Sequence, residues 1–80
     1  MNEQQIFDTV QNIFRENFDD DSIVLTRETT ADDIEDWDSL EQINLLTAIG
    51  DQFGIKFTLD DVRDLSNVGD ILDLVARLIG

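Results

Sequence analysis

The apolar residues of this chain recur at spacings of three and four in separate blocks, and no proline interrupts any of them. Each block therefore falls on one face of a helix, and a largely helical fold is what the pattern supports. Ile6, Phe7, Val10, Ile13 and Phe14 mark a first helix from about Glu3 to Asn17. Val68, Ile71, Leu72, Val75, Leu78 and Ile79 form a second clean stripe that ends at Gly80. Eighty residues make one domain, 1–80, that buries only about 60% of the surface its unfolded chain exposes, so the core must be compact.

Between these blocks the punctuation is polar. Asp19-Asp20-Asp21-Ser22 gathers residues that repel one another and compete with helical hydrogen bonding, so the first helix should stop there. From Ser22 to Asp36 the helical period is lost. Ile23, Val24 and Leu25 form an apolar clip, Thr29 and Thr30 are candidate caps, and the segment reads as a long ordered loop pinned by Ile23, Leu25 and Ile34, with room for one helical turn. Asp38 followed by Glu41 has the spacing of a capping box and opens the next helix. In that helix Leu40, Ile43, Leu45, Leu46, Ala48, Ile49 and Phe53 cover more than half the circumference, which leaves apolar surface for a partner or a cargo.

Gly50 inside this helix costs about 1 kcal/mol relative to alanine, whereas Gly54 stands where a C-terminal cap belongs. Ile55-Lys56-Phe57 reads as an extended connector that turns Ile55 and Phe57 inward. Thr58 and Asp61 start a short third helix with Leu59, Val62 and Leu65 inward, and Ser66 or Asn67 caps the fourth. The predicted architecture is all-α, a compact four-helix bundle with a long loop after the first helix and a short third helix.

Five basic against nineteen acidic side chains give a net charge of −14, which repels nucleic acid and anionic membranes and attracts basic protein surfaces. The 41% apolar content at regular spacing argues for a packed domain over a disordered acidic one. With no cysteine or histidine there is no disulfide, no thiolate zinc site and no familiar catalytic base. The N-terminal residues lack the features of a signal peptide, and no apolar run reaches membrane-spanning length. A monomeric, cytoplasmic protein is the expectation.

Ser39 is the candidate functional residue. It lies in the first turn of the second helix, follows a loop that a partner enzyme can reach, and sits at the positive end of a helix dipole, which favours an attached phosphate. Lys56 is the only side-chain amine, so no general base is evident and the serine reads as modified, not catalytic; the protein is not expected to be an enzyme. A serine at a helix start also serves as an ordinary cap, and three residues alone do not separate the two roles.

Asp38-Ser39-Leu40, the run through Phe53-Gly54-Ile55 and the Val68-Gly69-Asp70 start of the last helix together resemble the acyl carrier protein family over nearly the whole chain. The resemblance implies 4'-phosphopantetheine esterified to Ser39, placed there by a phosphopantetheinyl transferase. The arm would carry acyl groups to loading, elongating or transferring enzymes with basic docking surfaces. Carried over residue by residue, recognition falls to Asp38, Glu41 and Asp51, with Leu40 and Ile43 as apolar contacts; Asp38 is also placed to help position the magnesium that the transferase needs. No resident metal is implied. A short acyl chain is expected to shelter among Ile43, Leu46, Val62 and Leu65.

The chain departs from the members that serve fatty acid synthesis at Trp37, Asn44, Gly50 and Lys56, which points to a specialised freestanding carrier of a polyketide, glycolipid or other dedicated pathway. A peptidyl or aminoacyl carrier would show a Gly-Gly-x-Ser-Leu block, where this chain reads Asp36-Trp37-Asp38-Ser39-Leu40. An acidic helical adaptor with no covalent group is the alternative from another class. No window has the ligand spacing of an EF-hand.

Overall fold

In the computed structural model, which describes residues 2–80, the Gln5 N–H donates to Asn2 Oδ1 at 2.8 Å and the Asn2 N–H donates to Gln5 Oε1 at 3.1 Å. This reciprocal cap starts α1, Glu3–Asn17. The helix ends at Phe18, and Asp19 turns the chain with φ 51°, a left-handed conformation that aspartate tolerates better than most residues. The acidic cluster thus stops the helix where the sequence predicts.

Three further helices follow: α2, Ser39–Phe53; α3, Leu59–Arg63; and α4, Val68–Ile79. Asp38, Thr58 and Asn67 cap them, each side chain accepting the N–H three residues on, and Gly54 closes α2 with φ 67°. The all-α bundle is as expected. α1 packs along both α2 and α4, and the core between them is built from Ile6, Val10 and Phe14 of α1, Leu45 and Ile49 of α2, and Val68, Ile71, Leu72 and Val75 of α4.

The loop before α2 is ordered by bonds to helices on both sides. Gln11 Oε1 accepts from the Leu25 N–H at 2.9 Å, and Arg15 Nε donates to the Ile23 carbonyl at 2.8 Å, which ties the loop to α1. The N–H groups of Val68 and Gly69 donate to the carbonyls of Thr29 and Arg27, each at 2.8 Å, which ties it to α4. A Cβ at position 69 would lie 2.9 Å from the Arg27 carbonyl oxygen, so this close approach requires glycine. The Arg27 guanidinium then spans Glu3 at 2.9 Å and Asp73 at 2.7 Å. Leu25 is buried and Ile23 and Ile34 are half-buried, as the pinned loop requires, but the segment forms hydrogen-bonded turns and no helical turn.

Val24, part of the apolar clip but not of the set expected to pin the loop, points to solvent, because its neighbours Ile23 and Leu25 already occupy the side of an extended segment that faces the core. Two inward assignments fail. Leu59 is 82% exposed: it is the first residue of a five-residue helix, which has too few turns to turn a full face inward. Leu78 stands in the last turn of α4, where the stripe persists but the cover does not. Conversely, Leu74 is buried although it lies off that stripe.

Candidate functional site

The residues ahead of Ser39 are locked. Trp37 is only 7% exposed, its N–H donates to the Ile34 carbonyl at 3.1 Å, and its Nε1 donates to Gln42 Oε1 at 2.6 Å. One residue on, Asp38 Oδ1 accepts the Glu41 N–H at 2.9 Å and starts α2. Ser39 follows as the first helical residue, exposed, with no hydrogen bond to its hydroxyl among the described residues. A buried tryptophan and a capping aspartate therefore hold a free hydroxyl at the head of a fifteen-residue helix.

The cap occupies the Glu41 N–H, and the Gln42 N–H bonds to the Asp38 carbonyl at 2.9 Å. The N–H groups of Ser39 and Leu40 remain uncommitted among the described residues, at the end of the helix where the dipole favours an anion. A phosphodiester on Ser39 Oγ fits this setting in charge and in access. Beside the serine runs an open groove of about 530 Å³ whose floor and walls include Trp37, Ile43, Val62, Leu65 and Ile71, with Leu59 at its edge. A second groove of about 480 Å³ lies between α2 and the connector, lined by Leu46 and Phe57 and sharing Ile43, Leu59 and Val62 with the first.

The four residues expected to shelter an acyl chain line these two grooves: Ile43 and Val62 border both, Leu65 the first and Leu46 the second. Trp37, Phe57, Leu59 and Ile71 join them and were not foreseen in that role. Only Trp37 carried a sequence signal, its position next to Asp38-Ser39.

Of the expected docking residues, Leu40 and Ile43 are 65% and 60% exposed, unusual for large aliphatics, and Asp38 and Asp51 are exposed. Glu41 differs. Its two carboxylate oxygens accept from Asn17 Nδ2 at 2.8 Å and Asn44 Nδ2 at 3.0 Å, so it ties the end of α1 to α2 and does not reach back to complete the capping box. Among the described residues no cluster of three or more acidic side chains is arranged to hold a metal, and no helix is long and apolar enough to cross a membrane.

An exposed serine hydroxyl at an anion-favouring helix end, beside an apolar groove, is the arrangement that a small helical carrier of a phosphate-linked group requires. The family described as "Phosphopantetheine attachment site" matches residues 8–75. An acyl carrier protein of Guillardia theta is 30% identical over 79 residues, 99% of this chain and 98% of that one. One from Streptococcus pneumoniae is 36% identical over 88% of this chain and 90% of its own. The solution structure of a holo acyl carrier protein from Geobacter metallireducens superposes with a TM-score of 0.87 at 50% identity, covering 92% of this chain and 85% of that one. The chain belongs to the acyl carrier protein family. Its cofactor is covalently attached 4'-phosphopantetheine, and its partners are a phosphopantetheinyl transferase and acyl-handling enzymes.

Proposed function

We propose that Ser39 is the attachment residue and that residues 1–80 form one monomeric, cytoplasmic carrier domain for a dedicated acyl pathway. The observation that carries this reading is the exposed, unbonded Ser39 hydroxyl at the head of α2, beside an apolar groove. The prosthetic arm supplies a thiol on which acyl groups are held as thioesters. The chain's own residues do the rest. Asp38 and Trp37 fix the serine's position, the uncommitted N–H groups of Ser39 and Leu40 favour the phosphodiester charge, and Ile43, Leu46, Val62 and Leu65 offer an apolar bed that excludes water from short chains.

Partner enzymes with basic surfaces would meet Asp38 and Asp51, with Leu40 and Ile43 as the apolar contacts and Glu41 contributing field more than a free carboxylate. Rim charges of this kind act mainly on encounter rate and orientation. Asn44 is neutral, and position 50 has no room for a side chain, since a Cβ there would stand 2.8 Å from the Ile55 carbonyl oxygen. The acidic pattern of α2 is thereby thinned, which supports a specialised set of partners over the general enzymes of fatty acid synthesis.

Intact-mass measurement after incubation with coenzyme A, magnesium and a broad-specificity phosphopantetheinyl transferase tests the reading. A gain of one phosphopantetheine on the native chain and none on Ser39→Ala is expected. No gain on a folded native chain, beside a working positive control, would leave the acidic adaptor as the better description.

A further inference from the structure

The half-buried Gln42 uses only one end of its side-chain amide, where Oε1 accepts from Trp37 Nε1 at 2.6 Å. An indole nitrogen donates and never accepts, so the amide must turn its oxygen toward Trp37 and its NH2 away. Trp37 is itself buried in the core, and the amide orientation is therefore set from inside the bundle. Among the described residues Gln42 Nε2 makes no hydrogen bond, and no buried side-chain nitrogen or oxygen lacks a partner, so this nitrogen is open to solvent. Its two N–H groups are held away from Trp37 with no acceptor in the protein.

These donors stand next to the serine. Gln42 follows Ser39 by three residues, the spacing at which side chains are neighbours on a helix surface, with Cβ atoms about 5–6 Å apart. Both residues line the groove whose walls include Trp37, Ile43 and Ile71, so Gln42 lies on the groove side of Ser39. The other polar side chains nearby are committed or of the wrong kind. Glu41 and Asn44 bond to each other and do not line the groove, the Trp37 N–H is used on Gln42, and Asp38 accepts the Glu41 N–H. Within one turn of Ser39, Gln42 is the groove residue whose side chain has donors to spare.

We infer that Gln42 binds the phosphodiester of the arm on Ser39, and that Trp37, by orienting the Gln42 amide, is a positioning residue for that contact. The inference rests on the reading of Ser39 as the attachment residue and adds the side chain that holds the root of the arm. A phosphodiester joined to Ser39 Oγ brings its unesterified oxygens within the span of the Gln42 amide, and a hydrogen bond to an anionic oxygen is stronger than one between neutral groups. Gln42 thereby draws the root of the arm to the groove side of α2, so that the arm sets out along Trp37 and Ile43 and not into solvent. A single net hydrogen bond of this kind shifts the population of arm conformers about 2- to 10-fold.

The test compares apo and holo forms of the full chain by NMR. Mass measurement comes first; a chain that gains no arm, or that gains one with Ser39 replaced by alanine, removes the attachment reading and this inference together before any spectrum is recorded. In the native chain one Gln42 Nε2 proton is expected to move downfield from apo to holo, while the side-chain amide protons of Gln52, exposed at the far end of α2, stay in place. The holo form should show cross-peaks between the paired methyl groups of the arm and the Trp37 ring. In Gln42→Met these should weaken by about 2- to 10-fold, and in Gln52→Met they should match the native chain. Trp37→Phe frees the amide to rotate, and the downfield movement of the Gln42 proton should shrink. Gln42 amide protons with the same shifts in apo and holo native protein, or cross-peaks as strong in Gln42→Met as in the native chain, would overturn the inference and leave the attachment reading intact. A downfield movement undiminished in Trp37→Phe would overturn the part assigned to Trp37.

Discussion

The Trp37 indole stands edge-on to the Phe14 ring, with centroids 5.1 Å apart and planes at 86°. This contact joins the middle of the bundle core to the residue two places ahead of Ser39, so the serine's position is set from inside the molecule. Edge-to-face pairs add about 0.5–1.5 kcal/mol beyond the area they bury. Trp37→Ala removes the pair and leaves a cavity, and should lower the free energy of unfolding by about 3–5 kcal/mol. Trp37→Phe keeps the ring contact, loses the bond to Gln42 Oε1 and should cost about 1 kcal/mol. Urea unfolding followed by circular dichroism checks both, and equal losses in the two variants would contradict the packing role.

Helix propensity alone says that Gly50→Ala should stabilise α2 by about 1 kcal/mol. The opposite is expected. The added Cβ would meet the Ile55 carbonyl oxygen at 2.8 Å, at the point where the Ile55 N–H donates back to the Gly50 carbonyl at 3.0 Å. The connector must move, and a net loss of about 1–3 kcal/mol follows, as for other overpacked sites. A urea midpoint that rises in Gly50→Ala would show that the connector yields without cost.

Asp61 holds α3 to its neighbours. Its carboxylate accepts the Thr58 N–H at 3.1 Å and meets Arg77 at 3.2 Å. The hydrogen bonds with Thr58 are the main reason that its pKa lies below the ordinary 3.8, with the Arg77 charge acting in the same direction. A depressed folded pKa means that the stabilisation is complete above the unfolded value and is lost as the pH falls through the folded one. The α3 amides should therefore lose protection from hydrogen exchange below about pH 4, and Thr58→Ala should move the Asp61 midpoint upward in a carboxyl NMR titration. An Asp61 midpoint unmoved by that substitution would assign the depression to the Thr58 N–H, which alanine retains, and to the Arg77 charge, with no part for the Thr58 hydroxyl.

Nineteen carboxylates against five cations repel one another in the folded state more than in the expanded one. The melting temperature should rise between low and physiological salt and again with millimolar magnesium, as screening shortens the reach of that repulsion to about 8 Å. The Arg27 bridges to Glu3 and Asp73 weaken under the same conditions, but exposed pairs contribute about 0–1 kcal/mol and should not reverse the trend. A flat or falling melting temperature across the series would contradict it.

Much of this protein is written in short-range signals. Asp38, Thr58 and Asn67 start helices because a side-chain oxygen three residues ahead of a free N–H satisfies it locally, and Gly54 ends one because only its backbone takes the left-handed turn cheaply. The repeat of apolar residues marks α1 and α4 for the same reason, since the helical period acts within a few turns. By these means the sequence itself determined the helices, the order in which they come and a serine at the head of α2. Which side of α2 faces the core was not decided locally, because its apolar residues cover most of its circumference: packing against α1 buries Leu45 and Ile49 and leaves Leu40 and Ile43 outside. The same holds for the exposure of Leu59 and the crowding that requires Gly50. Each depends on atoms brought together from distant parts of the chain, and only the tertiary structure sets those distances.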